Sequence, residues 1–100
     1  MLFKLKILLG ITDNSKDTLL HVLLDCAVDE VKRYCRAEDV EELETLIVQM
    51  AVYKYNRIGT EGLQGENYSG ASYTYLNDYP EPIRAALADA RRKRAVLKVY

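Results

Sequence analysis

Leu20, Leu23, Leu24, Ala27, Val28, Val31 and Cys35 recur at intervals of three and four residues. A β-strand cannot gather such a set on one side, because its side chains alternate with period two. An α-helix collects them into a single stripe. The spacing predicts a helix over residues 16–36, the most strongly patterned element of the chain. The preceding "TDNSKD" carries capping residues: Asn14 or Ser15 can accept the first free amides, and Asp17 suits the positive end of the helix dipole. Leu19, Val22 and Cys26 form a second apolar stripe on the same helix. Two stripes mean burial on more than one side. A chain of 100 residues forms a single domain with one modest core. A neighbouring subunit is therefore the expected cover for the second side.

Residues 38–58 repeat the pattern. Glu38, Asp39, Glu41, Glu42 and Glu44 crowd the first turns, where carboxylates are favoured. Leu43, Leu46, Ile47, Met50, Ala51 and Ile58 make one side, and Val48, Val52 and Tyr55 another. Gly59 is a natural stop. The short connection between the two long helices predicts an antiparallel hairpin. Residues 2–10 fit either period: Phe3, Leu5, Ile7 and Leu9 alternate as in a strand, while Leu2, Leu5, Leu8 and Leu9 fit a helical side. With helices around them, a short helix ended by Gly10 is the expectation. A last helix starts near Pro80, with Ile83, Ala86, Leu87, Ala90 and Leu97 as its stripe. "AVLKVY" follows as fraying helix or extended tail. The fold class is thus all-α: a small bundle of two long antiparallel helices, a short N-terminal helix and a C-terminal helix, one domain over residues 1–100.

Most chemical functions find no constellation here. His21, the single histidine, lies between Asp17 and Asp25 at i−4 and i+4, the spacing of a surface ion pair. Ser15, Ser69 and Ser72 have no nucleophile-elbow context. The run Glu38–Glu44 lacks the ligand alternation of a calcium loop. Gly59, Gly62, Gly65 and Gly70 are not followed by the Lys-Ser/Thr of a phosphate loop. Cys26 and Cys35 point to opposite sides of one helix and read as buried thiols, without the clustered histidines of a zinc site. No catalytic, cofactor-binding or metal residue is expected. The net charge of −1 draws the whole molecule to neither nucleic acid nor anionic lipid. No run approaches the ~20 apolar residues of a membrane span. Lys4 and Lys6 interrupt "MLFKLKILLG", which reads as part of the fold and not as a signal peptide.

The remaining feature is the segment "NRIGTEGLQGENYSGASYTYLNDYPEP", residues 56–82. It holds four of the five glycines, both prolines and four of the eight tyrosines. Long irregular segments inside compact domains are uncommon. Tyr68, Tyr73, Tyr75 and Tyr79, with Leu63 and Leu76, are too many apolar groups for a simple linker. Tyrosine is common at interfaces because its ring is large, rigid and tipped by a hydroxyl. The loop over about 59–79 is therefore expected to be an assembly element. "RRKR", Arg91 to Arg94, has two readings. It is a solvated helix end, or a contact with an acidic protein surface or with phosphates. A helix-turn-helix is disfavoured by the long insertion before the basic helix.

In order, "LKILLGITD", a long helix ending near Tyr34, "YKYNRIGTEG", "SGASYTYLNDYPEPI" and a last helix with "RRKR" make the chain resemble the small head-tail connector (adaptor) proteins of tailed bacteriophages, which sit beneath the portal. The closest landmarks are Asn56-Arg57 with Gly59, Glu61-Gly62, Ser69-Gly70, Ser72-Tyr73 and the proline before the last helix. Leu63 to Asn67 replace a more serine-rich stretch. The resemblance implies a virion structural protein without enzymatic activity, assembled in the host cytoplasm. It implies a homo-oligomeric ring of about twelve copies closed by a head-to-tail contact. It further implies docking on the portal protein, receipt of a stopper or tail-completion protein, and a channel for DNA held by no specific contact. Carried onto this sequence, the inter-subunit loop would involve Asn56, Arg57, Gly59, Glu61, Gly62, Tyr68, Ser69, Gly70, Ser72, Tyr73 and Tyr75. Portal contact would involve Arg91, Arg92, Lys93, Arg94, Lys98 and Tyr100. The alternative is a small nucleic-acid-binding or regulatory module that uses the basic helix.

Overall fold

The computed structural model describes the backbone of residues 1–36, 40–61 and 76–97, and the side chains of residues 1–36, 40–57 and 76–93. The described residues form four α-helices: α1 (Leu2–Leu9), α2 (Asp17–Cys35), α3 (Glu44–Glu61) and α4 (Glu81–Leu97). Single 3-10 turns at Glu41–Leu43 and Leu76–Asp78 lead into α3 and α4. The fold is all-α, and α2 and α3 form the most extensive helix pair, with α1 and α4 packed against both.

The predicted stripes become the core. Leu20, Leu23, Ala27 and Val31 of α2 are completely buried, opposite Ile47, Met50 and Ala51 of α3. Ile83, Leu87 and Ala90 close the core from α4, and Leu5 closes it from α1. Both cysteines are buried thiols; Cys35 lies in the main cluster. The second stripes differ from expectation. Val48 is only 2% exposed and belongs to the protein's own core, so it needs no neighbouring subunit. It lines a groove together with Ile7 and Leu8 of α1. Leu19 and Val52 pack half-buried on the core, Cys26 is buried, and Val22 alone of these stays exposed.

Helix ends follow local chemistry, with several departures from the sequence reading. Neither Asn14 nor Ser15 caps α2. Asp13 instead accepts from the Ser15 amide and hydroxyl, forming the turn one step earlier. That hydroxyl, first, and the amide hold the Asp13 carboxyl below the usual carboxylate range. Asp17 meets Lys6 at 2.9 Å and not His21, which is exposed with Asp25. The acidic run also divides: Glu41 and Glu42 occupy the 3-10 turn, and α3 begins only at Glu44. Gly59 does not stop α3, which continues to Glu61. Glycine costs a helix interior about 1 kcal/mol but ends it only by leaving the helical conformation. Pro80 precedes α4, where its carbonyl accepts from the Ile83 and Arg84 amides, both at 3.0 Å. The helix then runs through to Leu97, the last residue of its predicted stripe.

At eight residues, α1 is too short to be stable alone. Leu2, Leu5 and Leu9 hold it against the bundle. Lys4 pairs with Glu44 of α3, and this contact chiefly holds the Glu44 carboxyl below its ordinary range. Lys6 reaches Asp17 and, at 2.8 Å, Asn14. Gly10 ends α1 at φ 73°, and the Gly10 and Ile11 amides donate back to Ile7 and Lys6. A Cβ built on Gly10 meets nothing within 4 Å, so substitution there is opposed by conformation alone. Gly10→Ala is expected to lower unfolding free energy by about 1 kcal/mol without changing helicity. Urea titration followed by circular dichroism measures this, and an unchanged midpoint would contradict it.

Candidate functional site

The loop predicted for assembly leaves from the end of α3 and returns at Leu76. Two contacts of Tyr53 join its two stems. Tyr53 of α3 donates its hydroxyl to the Asp78 carbonyl at 2.6 Å. The Tyr53 and Tyr79 rings lie 5.4 Å apart at 48°, a tilted pair. The Arg57 guanidinium sits 5.8 Å over the Tyr53 ring. Of the residues assigned to the loop, Arg57 is thus drawn into the stem and Asn56 is exposed. Gly59 and Glu61 lie within the last turns of α3. Gly62, Tyr68, Ser69, Gly70, Ser72, Tyr73 and Tyr75 fall outside the described residues.

Beneath the stems lies a buried charge. The Lys54 side chain is fully enclosed, and its Nζ donates to Glu30 Oε2 of α2 at 2.5 Å. Tyr79 donates its hydroxyl to the other oxygen of the same carboxylate. The ammonium also stands 5.6 Å from the Tyr79 ring centre. Glu30 therefore holds α3 through one oxygen and the returning loop through the other. Burial pushes the Lys54 ammonium below the usual lysine range, and the Glu30 carboxylate opposes that shift. Enclosing two charges is costly, and their mutual attraction rarely exceeds that cost. The network therefore fixes a position more than it adds stability: it sets where the chain re-enters the bundle before α4.

The basic cluster lies at the far end of α4. Arg91, Arg92 and Lys93 are exposed. Arg91 stacks 5.2 Å over Tyr34 of α2, which brings α4 against the last turn of that helix. Asp89 meets Arg92 at 3.4 Å and Lys93 at 3.1 Å, so the cluster is partly neutralised within its own helix. Arg94 continues the helical backbone; Lys98 and Tyr100 fall outside the described residues.

A third surface was not anticipated from the sequence. The outer side of α1 exposes Phe3 at 76%, Ile7 at 60% and Leu8 at 61%. Adjacent exposed apolar residues on this scale mark an interaction surface more often than isolated ones do. Among the described residues, no His, Cys, Asp or Glu cluster could hold a metal ion.

Sequence reasoning assigned no role to Lys54, Glu30, Tyr53 or α1's outer side. A signal for Lys54 existed. It falls four residues after Met50 and four before Ile58, a position on the apolar stripe that a solvated lysine would not occupy. Glu30 follows Ala27 by three in the same way. No equivalent signal marks α1, because a short helix with apolar residues all round does not reveal which side is covered.

A family model described as "Phage gp6-like head-tail connector protein" matches residues 1–91. No curated protein and no solved structure matches the chain.

Two expectations test the buried network. Glu30→Leu removes the carboxylate from beside an enclosed ammonium and should cost about 3–5 kcal/mol, while Glu30→Leu with Lys54→Met should return most of that loss. A thermal double-mutant cycle reads the difference, and additive losses would show that the pair does not interact. The second test is pH. With the folded-state value lowered, the unfolded chain binds more protons between that value and about 10.4. Stability should therefore rise with pH across that window relative to Lys54→Met, and a parallel course of the two proteins would exclude the linkage.

Proposed function

The chain belongs to the phage gp6-like head-tail connector family, and on that premise we propose that it is the adaptor ring beneath the portal. In this reading copies of the chain assemble head to tail into a ring of about twelve, closed by rotation. The ring joins the capsid's portal to a stopper or tail-completion protein and continues the DNA channel. The protein acts as a virion component and carries out no reaction. The observation that carries the reading is the family match over residues 1–91, which takes in the helical body and both stems of the loop.

Each part of the molecule has a place in this scheme. The α2–α3 pair is the rigid body. The segment 62–75 leaves from stems already fixed by Tyr53, Tyr79 and Lys54. Its two ends are thereby held in place for a contact with the next subunit. Arg91, Arg92, Lys93 and Arg94, with Lys98 and Tyr100, are proposed to face the portal. Many copies of one modest contact would then give the ring its avidity. DNA in the channel would meet non-specific electrostatics only. The rival reading, a nucleic-acid module built on the basic helix, is weakened by Asp89, which pairs with two of its cations and would itself repel phosphates.

Native mass spectrometry of the chain alone and with purified portal tests the proposal. Retention on the portal as a ring of defined stoichiometry is expected. Failure to bind any portal offered, together with tight, steeply salt-dependent binding to random duplex DNA, would favour the rival. Removing residues 62–72 should leave a helical, cooperatively unfolding monomer that no longer forms rings. Loss of helicity in that deletion would place the segment in the core instead.

A further inference from the structure

The attachment of α4 is concentrated at its entry. Directly before the helix, Tyr79 is buried, and its hydroxyl donates to Glu30 of α2. The Asp78 carbonyl accepts from the Tyr53 hydroxyl at 2.6 Å, and the Tyr53 and Tyr79 rings pair. Along the helix itself, burial is thin. Among the described residues, Ile83 and Leu87 are its large buried side chains, and Ala86 and Ala90 complete the stripe. By contrast, α2 and α3 set Leu20, Leu23, Leu24 and Val31 against Ile47 and Met50. Beyond Ala90, Arg91 stacks 5.2 Å over Tyr34 at the surface. Apolar burial is what chiefly holds a helix to a bundle. α4 is therefore the least firmly held of the three long helices.

The network under Tyr79 also permits release. Glu30 uses one oxygen for Lys54 and the other for Tyr79. When the phenol leaves, the ion pair between α2 and α3 stays joined through the first oxygen, and water replaces the phenol at the second. No buried charge is left unpaired, which is the usual obstacle to opening such a network. Entering water also hydrates an ammonium that the closed structure encloses completely. We propose that α4 and the 3-10 turn before it open from the α1–α3 body as one unit, with the Tyr79 hydroxyl on Glu30 as the latch. The closed form is the resting one, and the open form is a minor state in which the body keeps its core. Opening lifts Arg91 from Tyr34 and carries the basic end of α4 with it. The placement of that end is thus governed from the other end of a helix about 25 Å long. This motion does not depend on the adaptor reading.

Native-state hydrogen exchange of the full chain, read peptide by peptide by mass spectrometry, tests the latch. Amides of α4 should exchange faster than the slowest amides of α2 and α3, because a partial opening releases them. Tyr79→Phe keeps the ring and removes the hydroxyl. It should speed α4 exchange about tenfold or more, as expected for losing a hydrogen bond to a charged group. If circular dichroism shows that Tyr79→Phe does not fold, Tyr53→Phe loosens the same stem at Asp78 and carries the test. Ile47→Val separates local opening from global unfolding. Ile47 belongs to the α2–α3 core, beside Val28. Its truncation should speed exchange in α2 and α3 severalfold and leave α4 unchanged, since the closed and open forms lose the same contact. Equal acceleration of α4 by Ile47→Val would show that α4 is released only by global unfolding, and would overturn the proposal. So would α4 exchange that is indifferent to the tyrosine variant.

Discussion

The ammonium of Lys54 is the constraint on which the arrangement depends. A small helical domain could fill that position with methionine or leucine and gain stability. It instead encloses a cation paired with a carboxylate from a different helix. Glu30 can accept from Lys54 and from Tyr79 together only if α2, α3 and the chain entering α4 meet in one register. Apolar packing tolerates sliding and repacking, because methyl groups are interchangeable in direction. A buried ion pair with a shared phenol does not. The loop stems, the start of α4 and hence the basic end of that helix are all referred to this point.

The same reasoning explains why so much of the surface assigned to assembly lies outside the α2–α3 pair. That pair supplies the reference against which α1 and α4 pack. α1 is held by buried Leu5, half-buried Leu2 and Leu9, and the ion pairs of Lys4 and Lys6. The returning strand of the loop is a single 3-10 turn held by Tyr53 and Tyr79. Elements held by a few directional contacts can present side chains outward without disturbing the core. In a head-tail connector, partners must bind a body that keeps its shape, and among the described residues all four helices contribute to one core.

The fold was readable where period and burial coincide. Leu20 to Cys35 and Leu46 to Ala51 needed no context, because a stripe of that length has one explanation. The ends were less readable. Gly59 fits a stop by residue type, but the helix continues because nothing forces that glycine into the left-handed region. Arg36, with no such marking in the sequence, ends α2 at φ 54°. Val48 looked like half of an intersubunit stripe, since the sequence does not reveal that α1 packs beside it. The candidate site was legible as composition, in the tyrosines and glycines of residues 56–82, but not as geometry. Tyr79 belongs to that composition, yet its partner Glu30 is 49 residues away. Only the packing of three elements brings the two together.

In the proposed ring, a head-to-tail contact would require that the angle between successive copies be constant. A small error in the orientation of α1 or α4 relative to the α2–α3 pair would repeat at every contact, and the accumulated rotation would fail to close. Fixing those elements through directional hydrogen bonds and ion pairs limits that error. In that reading the cost in stability of burying Lys54 would be offset by the single and repeatable subunit shape that a closed ring requires.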